Sequence, residues 1–216
     1  MPPIKLNLIA AACDNMGIGN NGTLPWKLKK EMDYFTKMTT LVQDPEKKNA
    51  VIMGRRTWDC IPSKYRPLQN RINIVLTHHV DDVKPKVLFP YVISFSFLMY
   101  KNDVGCLPFI FCCIFQVPEG VAVVPGLDEA ISYIEMRNDI ENTWVIGGSF
   151  IYKAAMEHPN CGRVYLTEIH KTFECDTFFP RIDPQLFRPV TEPGVPTEVQ
   201  VEGDIVYYYR IYEKKL

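Results

Sequence analysis

A chain of 216 residues, 24 of them basic and 25 acidic for a net charge of −1, is long enough to bury the core of one mixed-sheet domain. That balance gives no global electrostatic case for nucleic acid or an anionic membrane, so the expected partner is a small molecule; a monomer is expected as well. Seven cysteines without a C-x-x-C pair and four scattered histidines give no metal pattern, and they suit reduced thiols in a cytoplasmic protein.

The apolar run at 8–13 is too short for the core of a signal peptide, and none is expected. Residues 5–12 are small and apolar without a break, as in a strand buried on both faces. Gly17, Gly19 and Gly22 then fall within six positions and permit backbone angles barred to other residues, so this stretch reads as a mobile flap. From Pro25 the spacing predicts a helix on which Leu28, Met32 and Phe35 share an apolar face beside Glu31. Glu31 is then either an ordinary surface acid or a carboxyl whose desolvation lets it hold a proton near neutrality.

A polar break at 43–49 reads as a surface loop, and a buried strand at 50–53 ends on Gly54. Arg55-Arg56-Thr57-Trp58 opens a short helix stopped by Pro62, and 71–77 is a β-branched strand. A fourth strand lies at 121–124, a helix at 127–137, and a fifth strand at 143–146 runs into Gly147-Gly148. Ser149 is placed to cap a helix over 150–157. A sixth strand at 163–169 precedes a hairpin of 197–202 and 205–213 around Gly203-Asp204. This alternation predicts an α/β fold: a mainly parallel central sheet with helices on both faces, closed by an antiparallel C-terminal hairpin.

Residues 87–116 follow neither period two nor period 3.6. Each apolar half is shorter than the roughly 20 residues of a spanning helix, which disfavours a membrane hairpin. Val87 takes a codon beginning GT, Gln116 can be CAG, and the run from Phe109 to Phe115 needs pyrimidine-rich DNA. Those are the marks of an intron's two ends. The segment is therefore read as a translated intron or gene-model error, with a genuine insertion as the alternative.

Two strand-glycine-helix junctions, at Gly54-Arg55 and at Gly147-Gly148-Ser149, suggest one crevice at the carboxyl ends of parallel strands, suited to a dinucleotide. Arg55 and Arg56 either add positive charge there or form a solvated surface pair.

With these junctions the chain resembles the dihydrofolate reductase family of the animal type. The resemblance rests on five motifs in order: 15–26 (NMGIGNNGTLPW), 51–58 (VIMGRRTW), 66–71 (RPLQNR), 144–149 (WVIGGS) and 174–180 (ECDTFFP). It covers all but 87–116, and it implies NADPH-dependent reduction of 7,8-dihydrofolate to tetrahydrofolate, feeding one-carbon metabolism. It implies that Glu31 binds the pterin and assists its protonation, that Thr167 hydrogen-bonds Glu31, and that Trp26 holds a water. Ile9, Leu24, Met32, Phe35, Ile61, Leu68 and Ile146 would clasp the substrate's rings, and Arg71 would pair with its α-carboxylate. Ala11, Ile18, Gly22 and Tyr152 would surround nicotinamide, with Arg56, Thr57, Gly148 and Ser149 at the phosphates. Arg55, Thr77 and His78 would receive the 2′-phosphate. His78 stands where the family often carries Arg, and Pro125-Gly126 where it often has Arg-Ser. A catalytically silent relative, spoiled by the insertion, is the competing reading.

Overall fold

The computed structural model describes residues 3–78, 83–85 and 115–215. Among the described residues thirteen strands and four α-helices follow one another as β1 (Leu6–Cys13), β2 (Gly17–Gly19), α1 (Lys29–Thr40), β3 (Lys48–Gly54), α2 (Arg55–Cys60), β4 (Arg71–Leu76), β5 (Val83–Pro85), β6 (Phe115–Val117), β7 (Ala122–Val124), α3 (Leu127–Glu135), β8 (Ile140–Val145), α4 (Ser149–Glu157), β9 (Cys161–Ile169), β10 (Thr177–Phe178), β11 (Phe187–Val190), β12 (Gln200–Glu202) and β13 (Ile205–Lys214). Nine of these strands form one sheet in the order β11-β13-β9-β1-β8-β3-β4-β7, with β12 also on β13. From β9 to β7 every neighbour is parallel, and β13 turns the remaining edge antiparallel. The architecture is the mixed sheet that the alternation predicts.

Alternation along β1 assigns the helices to their faces. Leu6, Leu8 and Ala10 pack with Ile131 and Ile134 of α3 and with Ala155 and Met156 of α4. Ile9 and Cys13 face the other way, toward a cluster holding Tyr34 of α1 and Trp58 of α2. Two helices therefore cover each face.

The predicted 43–49 loop is shorter than expected, because Lys48 and Asn49 already belong to β3. Asn49 is fully buried: its amide donates to the carbonyls of Thr39 and Leu41, and its oxygen accepts from the Asn142 amide. Three bonds explain how a polar side chain is held inside. Ser149 does not cap α4. The cap position is Gly148, and the Ser149 hydroxyl donates instead to the carbonyl of Phe178.

Of the segment 87–116, residues 87–114 lie outside the described residues. Its last two residues enter β6, which runs parallel to β5 with Val83 beside Phe115 and Pro85 beside Val117. No helix among the described residues is long and apolar enough to cross a membrane.

Candidate active site

Glu31 lies in the first turn of α1 and is only 5% exposed. The helix packs on the sheet through Tyr34, which brings Glu31 over β9, where the Thr167 hydroxyl donates to its Oε1 at 3.2 Å. Burial pushes the carboxyl up from an ordinary 4.5 to about 7; the Thr167 bond pulls the other way, and the negative charge of Glu202 adds to the rise. This decides the choice left open by the sequence: Glu31 is a desolvated acid.

A cavity of about 410 Å³ opens beside it, lined by Leu24, Trp26, Lys27, Leu28, Glu31, Met32 and Glu202 among others. Leu28 is buried, whereas Met32 is 43% and Leu24 45% exposed, so the shared apolar stripe is split. Met32 faces the cavity, while Phe35 packs half-buried against the core. Trp26 is buried with its ring edge against Phe173 at 5.5 Å, and its indole Nε1 has no hydrogen-bond partner. A buried donor without a protein partner is a place where an ordered water or a ligand oxygen can bind.

Ile9 belongs to the buried cluster on this face, and Ala11, Phe35, Ile61, Leu68 and Ile146 pack against it half-buried. Arg71 stands apart and does not line the cavity. Its guanidinium donates to the Gln69 carbonyl at 3.0 Å and to the buried Thr39 hydroxyl at 2.8 Å. Partial burial holds its pKa below the usual guanidinium value. Nothing in the sequence pointed to Phe173 or Glu202, which reach the site from far along the chain, or to Thr39, which holds Arg71 from the far end of the helix that carries Glu31.

On the other side the two glycine junctions meet. The Gly54 amide donates to the Gly147 carbonyl at 2.8 Å, and a Cβ on Gly147 or Gly148 would stand 3.5 or 3.4 Å from the Thr57 hydroxyl. Gly147 also has φ of +119°, which favours glycine. Tyr152 is buried beside Gly147, and its hydroxyl donates to the Ile9 carbonyl at 2.7 Å, tying α4 to β1. Arg55 pairs loosely with Asp59 at 3.5 Å, Arg56 and His78 are exposed, and Thr77 is buried at the end of β4. Ser149 opens α4, and its hydroxyl is engaged with Phe178.

The flap is a hydrogen-bonded ribbon. β2 pairs antiparallel with β10, and the amides of Asp176 and Phe179 donate to the carbonyls of Gly19 and Met16. The Asn21 amide donates to the Asp176 carboxylate at 2.8 Å, which helps hold that group below the usual carboxylate range. Gly22, at φ +72°, lies against Cys60 of α2, while Ile18 is half-buried against the core. Cys13 and Cys175 approach to 3.8 Å between sulfurs yet are free thiols, as are Cys60 and Cys161. Among the described residues no cluster suits a metal.

A sequence profile of the family described as "Dihydrofolate reductase" matches residues 5–96 and 114–214. Dihydrofolate reductase of Heliothis virescens is 62% identical over 214 residues, covering 99% of this chain and all of that protein. The enzyme of Drosophila melanogaster is 39% identical (98% of each chain), and that of Gallus gallus 38% (98% of this chain, 97% of the other). The solved dihydrofolate reductase of Schistosoma mansoni superposes with a TM-score of 0.73 at 31% identity, over 98% of this chain and 99% of that one. A buried acid at a cavity floor, joined glycine crevices and these likenesses together assign the chain to the dihydrofolate reductase family of the animal type.

Proposed function

We propose that this protein reduces 7,8-dihydrofolate to 5,6,7,8-tetrahydrofolate with NADPH. The observation that carries the reading is Glu31, a buried acid with a pKa of about 7 on the wall of a ring-sized cavity. Adding hydride to a C=N bond is easier once its nitrogen is protonated, and a carboxyl that is half protonated near neutrality can hold that proton. Thr167 fixes the carboxyl's orientation by its hydrogen bond. The unpartnered indole of Trp26 can anchor a water beside it. Leu24 and Met32 supply apolar walls of the cavity, Phe35, Ile61, Leu68 and Ile146 would add apolar surface from the adjoining half-buried cluster, and Arg71, with its Thr39 and Gln69 partners, would offer a fixed cation to the substrate's carboxylate.

The residues present fit NADPH. The Gly147-Gly148 turn beside Thr57, and a helix start without a side-chain cap at α4, suit a diphosphate. Arg55, Arg56, Thr77 and His78 lie at the neighbouring strand ends, where a 2′-phosphate would find positive charge. Ala11, Ile18, Gly22 and Tyr152 would surround its nicotinamide. When bound, NADPH supplies the hydride. The flap ribbon's part is to exclude water while Glu31 keeps its proton. We take the enzyme to work as a single chain in the cytoplasm, a reading that the four free thiols favour.

Loss of NADPH absorbance that requires dihydrofolate, measured on the full chain, tests the reading. No loss above the rate without dihydrofolate would overturn it. Glu31→Gln should lower turnover at neutral pH by about 100-fold or more, with NADPH affinity by fluorescence nearly unchanged.

A further inference from the structure

Helix α1 begins without help from its own sequence. Its cap residue is Leu28, whose side chain accepts no hydrogen bond, so the first amides need a partner from elsewhere. Glu202, at the end of β12, provides it. Its Oε1 accepts from the Lys29 amide and its Oε2 from the Lys30 amide, the latter at 2.8 Å. One carboxylate thus holds two successive amides of the turn that carries Glu31, across more than 170 residues of chain. Glu202 also lines the cavity with Leu24, Glu31 and Met32.

We propose that Glu202 is a positioning residue for the reaction, holding the first turn of α1, and with it the Glu31 carboxyl, against the cavity. The inference rests on the reading of Glu31 as the working acid. A carboxylate at a helix start is favoured by the helix dipole, so the clamp gains from being charged. That same charge disfavours ionisation of Glu31. Other titratable groups surround Glu31: Lys27, Lys29 and Asp33 about the cavity, Tyr34 on α1, Tyr152 on α4, and Tyr207 and Tyr209 on β13. Of the charged groups, Glu202 is the one whose field raises Glu31. A single side chain therefore holds the turn that carries the acid and adds its charge to the burial that favours the acid's protonated form.

The test uses the full chain in three forms: native, Glu202→Gln and Glu202→Asp. Two quantities are followed against pH, the turnover number for dihydrofolate and the carbon-13 shift of the Glu31 carboxyl without ligands, the latter assigned by its absence in Glu31→Gln. Glu202→Gln keeps an acceptor and the side-chain volume but loses the charge. Its Glu31 midpoint should fall by about half a pH unit, so turnover at pH 8 drops about threefold while that at pH 5 is almost unchanged. Glu202→Asp, which keeps the charge, should restore the native midpoint while raising KM, because the shorter side chain strains the clamp. A Glu202→Gln protein with lower thermal stability but native midpoint and native pH profile would overturn the proposal, leaving Glu202 a helix cap and no more. Retained turnover in Glu31→Gln would instead remove the functional reading, and it is recognisable because the carbon-13 titration still moves with Glu202.

Discussion

Glu31 places a cost on the fold that is visible only as pH changes. Its carboxyl binds a proton more tightly in the folded chain, near pH 7, than in the unfolded one, near 4.5. Its contribution to stability is therefore most favourable below pH 4.5 and is lost as pH rises through 7, a decline of about 3 kcal/mol. Glu31→Gln lacks that titration, so its thermal midpoint should gain on the native protein from pH 4 to pH 8. A difference independent of pH would refute this. Thr167 acts in the opposite sense, since its bond favours the ionised carboxyl. In Thr167→Val the high-pH limb of the turnover profile should move to higher pH, and Thr167→Ser should move it back. Burial of Glu31 was half legible in the sequence, because helical spacing put it beside apolar residues. Its partner was not: 136 residues separate Thr167 from Glu31, and sheet register alone brings them together, so only the family resemblance named the pair.

The long elements were legible because each carries its own pattern. Strands of six to nine residues show as unbroken apolar or β-branched runs, and helices of nine or more as 3.6-residue stripes. Strands of two or three residues, such as β2 and β10, contain too few positions for any period, and tertiary pairing creates them. The ribbon they form depends on one close approach. A Cβ on Gly17 would stand 2.4 Å from the Cys175 sulfur and 2.6 Å from its Cβ, too near for either to stay. Gly17→Ala should therefore cost about 1–3 kcal/mol in thermal unfolding and slow turnover by loosening the flap. Adding Cys175→Gly, which removes both clashing atoms, should recover part of both losses. An additive double mutant would show that the contact is not the cause.

Across the whole molecule, β4 and β7 are paired neighbours in the main sheet, and the segment that departs from any regular pattern falls in the chain between them. The apolar composition of 87–116 marked it as foreign, yet composition carries no information on where its ends lie in space. The β5–β6 pairing does. Pro85 and Val117 are partners across a parallel ribbon, about 5 Å apart at ordinary strand spacing. Two peptide links through Lys86 reach about 7 Å. A chain with Lys86 joined directly to Val117 is thus geometrically closed, and we expect it to melt at a higher temperature and aggregate less than the full chain, with dihydrofolate turnover retained. Loss of activity or an unchanged melting temperature in the shortened chain would count against the intron reading.

The same adjacency has a use beyond this one segment. When entry and exit strands lie side by side, the entropy of closing whatever runs between them grows only with the logarithm of its length. The ribbon of 83–85 and 115–117 is then a port in the fold. A small folded domain whose own termini are close could be spliced there, and its binding state read through the enzyme's turnover.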